Sequence, residues 1–225
     1  MKVKNFARLV LIVLGCAIAL CAGTIPVKFT GSTSGLGGPV NNVYYYPYQL
    51  IVNGSAVTVA CDSYDLSVYL NEQWNATVNT FANLSGTLYG SGATTQYQEA
   101  AWLYSQFQAT PPLTNNVNAA INYAIWDIMD PDTPTYNGGG GANTTSAYWV
   151  TEAADASNVN FNLAGFNAVN FSNFVIYTPY NGWPSGDGMP QEYIGEVPEP
   201  ATVVLMLTGL LGLCFMAWKR RTLLS

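Results

Sequence analysis

The 225-residue chain is 49% hydrophobic and only 9% charged, enough for one ordinary domain with targeting segments and too little for ion-pair networks. Its bases lie at the ends, with Lys2, Lys4 and Arg8 first, Lys219, Arg220 and Arg221 last, and Lys28 alone between them. All 13 carboxylates fall in that base-poor middle, which excludes nucleic acid as a partner, and the absence of His removes the usual base of Ser and Cys hydrolases.

Residues 1–23 read as a secretory signal. Basic residues up to Arg8 precede the apolar stretch from Leu9 to Leu20, which reaches only ~18 Å as a helix, and small residues at Cys21, Ala22 and Gly23 suit a signal peptidase. A Gly/Ser/Asn-rich lead then runs to Asn42. In "YQLIVNGSAVTVAC" two β-rich runs flank Asn53-Gly54, which predicts a tight type I′ hairpin, and "WNATVNTF" from Trp74 predicts another strand. Two helices follow, from Thr95 and from Asn115. In the second, Val117, Ala120, Ile121, Ala124, Ile125 and Ile128 keep one apolar face and Pro131 stops the helix. A Gly-rich loop, a short helix near Ala147 to Ala156 and a strand "FVIYTP" complete residues 24–177. Strands, then helices, then strands predict an α+β domain: an antiparallel β hairpin, sheet or barrel with a helical insertion. Residues 178–196 read as a Pro/Gly-rich stalk.

The chain ends in three parts. Val197, Pro198, Glu199 and Pro200 are followed by the uncharged run Ala201 to Trp218, ~27 Å long as a helix, and then by Lys219, Arg220 and Arg221. The positive-inside rule puts those bases in the cytoplasm and residues before Ala201 outside, with one C-terminal transmembrane helix between. "VPEPAT", an apolar helix and "KRR" together resemble the PEP-CTERM sorting signal of exported bacterial proteins. The resemblance covers residues 197–221 and implies an exosortase as partner, anchorage in the inner membrane before processing, and then a cell-surface or extracellular location. The expectation is that processing leaves the protein in association with exopolysaccharide.

Cys61 is the single thiol of the mature outer domain, because Cys16 and Cys21 fall in the signal and Cys214 in the span. A buried small hydrophobe, an intermolecular disulfide and a thioester are all open to it. The Cys on an early strand with an "AIW" helix is similar to the thioester domains of bacterial surface adhesins, in which a Gln two residues before "AIW" completes the bond. This chain has Asn122 there. Asp127, Asp130 and Asp132 gather at the C-terminal end of a predicted helix, against its dipole, and Ca²⁺ is the candidate cation for them. Otherwise no cofactor is expected. A carboxylate pair such as Glu99 with Asp127 is the form a glycosidase would take, but the expectation is a non-enzymatic surface or matrix protein. The alternative is a saccharide-binding module using some of the 15 Tyr and 6 Trp rings.

Overall fold

A computed structural model describes residues 23–32, 43–108, 113–157, 169–180, 189–197 and 209. The expected signal but for Gly23, the tripeptide Pro198–Pro200, the expected span Ala201–Trp218 but for Gly209, and the bases Lys219–Arg221 lie outside the described residues. No helix among the described residues is long and apolar enough to cross a membrane. The chain divides into two compact units, Met1–Gly195 and Glu196–Ser225, and the fold below is that of the first.

Six strands close into an antiparallel barrel: β1 (Thr24–Ser32), β2 (Tyr48–Val52), β3 (Ser55–Cys61), β4 (Gln73–Thr80), β5 (Phe174–Pro179) and β6 (Tyr193–Glu196), in the order β1-β2-β3-β6-β5-β4. Three helices, α1 (Thr94–Gln106), α2 (Asn115–Met129) and α3 (Ser146–Ser157), are inserted between β4 and β5. The fold is therefore α+β, and of the expected hairpin, sheet or barrel with a helical insertion it is the barrel. The β2–β3 hairpin turns at Asn53-Gly54 with φ of 48° and 83°, the paired positive values that a type I′ turn requires, and Val52 pairs with Ser55 across it.

Two strands differ from the sequence reading. The lead after the signal contains β1, where Ile25, Val27 and Phe29 alternate with polar residues and Val27 and Phe29 are buried. Pro26, which argues against a strand, is tolerated because it pairs with Asn75 of β4 and, just past the Val27↔Val52 pair, needs on the β2 side only its carbonyl, which accepts from the Asn53 N–H at 2.9 Å. The stretch 178–196 read as a stalk holds the end of β5 and the whole of β6, the strand that closes the barrel against β3. At four residues, β6 is too short for an alternating pattern to announce itself.

Period-2 alternation sorts the side chains into two cores. Val59 and Cys61 of β3, Val175 and Tyr177 of β5, and Tyr193 of β6 fill the barrel with Leu50 and Trp74. Ala60, Phe174, Ile176 and Ile194 on the same strands face outward and pack with the helices. The helix layer thus covers the β3-β6-β5 wall, and every residue of β5 is buried. Helix α2 joins the two cores: Ile121, Ala124 and Ile125 belong to the helix layer, whereas Ala119, Ala120, Tyr123 and Trp126 belong to the barrel core. Ten of its 15 residues are buried, so the single apolar face seen in the sequence is half of the contact.

Replacing Gly54 by Ala meets no neighbour within 4 Å, so the substitution tests backbone conformation alone. The full chain in detergent should lose about 1 kcal/mol from its urea unfolding free energy. An unchanged midpoint would contradict the turn type.

Candidate functional site

The β3–β6 register, Val59↔Gly195, Ala60↔Ile194 and Cys61↔Tyr193, sets the next residues opposite each other as Asp62 and Glu192. Backbone bonds continue the ladder: the Asp62 N–H donates to the Glu192 carbonyl at 3.2 Å, and the Glu192 N–H donates to Ser63 Oγ at 3.0 Å. By alternation Cys61 points into the barrel, while Asp62 and Glu192 share the outward face of Ala60 and Ile194, under the helix layer. Both acids are fully buried.

Their surroundings differ. Glu192 accepts from Tyr97 Oη of α1 at 2.5 Å, from the Leu88 N–H at 2.8 Å and from the Thr178 hydroxyl. No donor group reaches either carboxyl oxygen of Asp62, which faces the Glu192 carboxyl. Burial, and then the charge of Glu192, raise the Asp62 carboxyl well above the carboxylate range. Burial also raises Glu192, but its three donors oppose that rise. Two like charges opposite each other in a strand pair repel, and no base is at hand, so the pair keeps one proton, held on Asp62, with the charge on Glu192. Burial pushes the Cys61 thiol up to about 12, which keeps it a neutral, inert SH.

The structure does bring Cys61 and Asn122 together, though through the backbone. Asn122, fully buried, donates from Nδ2 to the Cys61 carbonyl at 3.2 Å and accepts from the Tyr46 N–H at 2.9 Å. The Cys61 thiol donates instead to the Ser63 carbonyl at 3.2 Å. The three aspartates are not brought together. Helix α2 ends at Met129, and Asp130 has an extended backbone (φ −137°, ψ 98°), so its carboxyl leaves the helix face and accepts from the Asp132 N–H at 3.2 Å. Among the described residues no group of three or more His, Cys, Asp or Glu side chains is arranged to hold a metal ion. Glu99 accepts from Ser157 Oγ at 2.7 Å, a bond that ties α1 to α3.

The mouth of the barrel holds a cavity of about 800 Å³ between β1, β2 and the β3–β4 loop. Phe29, Tyr44, Tyr48, Tyr64 and Tyr69 give it five aromatic walls, and Asp65 is its one charged side chain. The barrel interior below is filled, with Tyr193 stacked on Trp74 at 6.2 Å and edge-on to Tyr48 at 5.7 Å, so the space is confined to the mouth. The β3–β4 loop that forms one wall is tied down. Glu72 accepts from the Tyr69 N–H at 2.8 Å, Gln191 Nε2 donates to the Leu66 carbonyl at 2.7 Å, and the Asn71 N–H donates to the Phe29 carbonyl at 2.9 Å. Tyr64 is braced from behind by Trp126 of α2, with ring centroids 5.3 Å apart.

Sequence reasoning passed over Asp62, Glu192 and this cavity. Asp62 adjoins the Cys that drew notice, Glu192 lay in the supposed stalk, and the cavity arises from strand closure rather than from any motif. Residues 196–221 match the PEP-CTERM protein-sorting motif, which marks the chain as an exosortase-targeted exported protein. No curated protein and no solved structure matches the chain.

Asp62 takes up a proton on folding, so its contribution is fully present below the ordinary carboxylate pKa of about 4 and is lost as pH rises from there toward its raised folded value. Unfolding free energy should fall with rising pH across the neutral range, by at most about 1.4 kcal/mol per pH unit. Asp62→Asn, which can donate to Glu192 without a proton to lose, should flatten that slope and be no less stable than the parent at pH 7. An equal slope in the variant would assign the proton elsewhere.

Proposed function

We propose that the chain is an exported, non-enzymatic surface or extracellular-matrix protein, processed through its tail by an exosortase at the inner membrane, whose barrel domain associates with exopolysaccharide. The observation that carries the second half is the barrel mouth. Tyr44 and Tyr69 expose more than half of their surface there, at 54% and 58%, on the rim of a concave site with a single carboxylate. Exposed rings with an apolar face and a polar tip suit the alternating C–H and O–H surfaces of a sugar chain.

A non-enzymatic role accords with the placement of the acids. The carboxyl pair that faces across β3 and β6, Asp62 and Glu192, is sealed under the helix layer, and neither residue lines the cavity. Asp65 there has no second acid or His to complete a general acid–base set. A thioester between Cys61 and residue 122 is left out of this reading, because both ends of the Asn122 amide hold backbone groups and the thiol is turned to Ser63.

The test is retention of the exported protein on exopolysaccharide from an exosortase-bearing host. The parent should be retained, and Tyr44→Ala with Tyr69→Ala should weaken retention about tenfold while leaving release into the medium unchanged. Ala at Pro198, Glu199 and Pro200 should instead keep the precursor in the membrane. Loss of parental retention would remove the polysaccharide role, and release of the triple-Ala form at the parental level would remove the sorting role.

A further inference from the structure

Charge at the barrel mouth separates glycan classes. Among the described residues its lining carries five aromatic rings and the Asp65 carboxylate, and no basic side chain. Lys28 is the only base of residues 23–197, and the alternation of β1 that buries Val27 and Phe29 puts Lys28 on the other face of the strand. A uronate chain entering this mouth would set its carboxylates against Asp65 with no counter-charge. It would also approach a domain whose overall field is negative.

We infer that the cavity takes a glycan bearing free, protonated amino groups, the ammonium lying against the tyrosine faces and Asp65. This rests on the polysaccharide-association reading above. Ring faces carry the negative end of the aromatic quadrupole, and a cation enclosed by several of them is held without a full ion pair. The enclosure is built before the ligand arrives. Tyr48 Oη donates to the Tyr44 carbonyl, which ties the exposed Tyr44 segment to β2, and the Tyr69 N–H is held by Glu72. Tyr64 rests on Trp126 and Tyr123, so the floor of the cavity is continuous with the barrel core. Acetylation of the amine would remove the charge and leave the sugar surface, so the two forms separate charge recognition from sugar stacking.

The experiment titrates the full chain in detergent, at about pH 6 where such an amine is protonated, with three probes of equal length. These are a glucosamine tetramer, its fully N-acetylated counterpart and a galacturonate tetramer. The glucosamine tetramer should bind about tenfold more tightly than the acetylated one, and the galacturonate should not bind. Asp65→Asn should bring the first two together, whereas Tyr69→Ala should weaken both. Both residues are exposed, so an unchanged melting temperature verifies the fold of each variant. Equal binding of the amine and acetyl forms, or preference for galacturonate, would overturn the amine inference and leave the polysaccharide reading standing. Binding of none of the three overturns the inference as well, and retention on whole exopolysaccharide then decides the broader reading by itself.

Discussion

The pairing of β3 with β6 is the contact on which the rest of the domain depends. It joins a hairpin formed early in the chain to a four-residue strand at the end of the domain, and so turns an open sheet into a barrel. Its register sends Cys61 and Tyr193 into the barrel and Ala60 and Ile194 into the helix layer. One residue of slip in β6 would exchange its faces and turn Ile194 and the Glu192 carboxylate into the aromatic core. The same register aligns Asp62 with Glu192, and it brings the end of β3 to Asn122.

Polar groups buried at that seam are treated in opposite ways. Asn122 satisfies the Tyr46 N–H and the Cys61 carbonyl with its two amide ends, which lets a helix buried on two sides dock on strand ends without orphaning their backbone. Gln there would carry the amide one methylene further and misplace both bonds. Asp62 and Glu192 instead gain from proximity only if they share a proton, because the domain has almost no base to offer. The scarcity of Lys and Arg is thus felt twice, inside as a protonated acid and at the barrel mouth as a cavity whose charged side chain among the described residues is a carboxylate.

Much of the fold was legible in the residues. Asn53-Gly54 carries its own turn geometry, and the apolar spacing from Val117 to Ile125 fixes a helix, because both signals are local. What was illegible is what depends on distant partners. Tyr193-Ile194-Gly195 reads as linker until β3 lies beside it, and β1 reads as leader until β2 and β4 flank it. The candidate sites divide in the same way. Cys61 and Asn122 drew attention by residue type and do meet, but the acid pair and the barrel-mouth cavity are products of closure and have no sequence signature. The sorting tail is the reverse case, since its tripartite order is complete in the sequence and matches its family model without reference to the fold.

If β3–β6 closure makes the barrel and the helix layer one cooperative unit, amide hydrogen exchange measures it directly. The amides of Ile194, of β3 from Val57 to Cys61, and of α2 from Ile121 to Trp126 should exchange only through global unfolding, with the same free energy and the same denaturant dependence. Exchange of Ile194 at a markedly lower free energy, with the β2–β3 hairpin and α2 still protected, would show that β6 detaches on its own and would contradict the account.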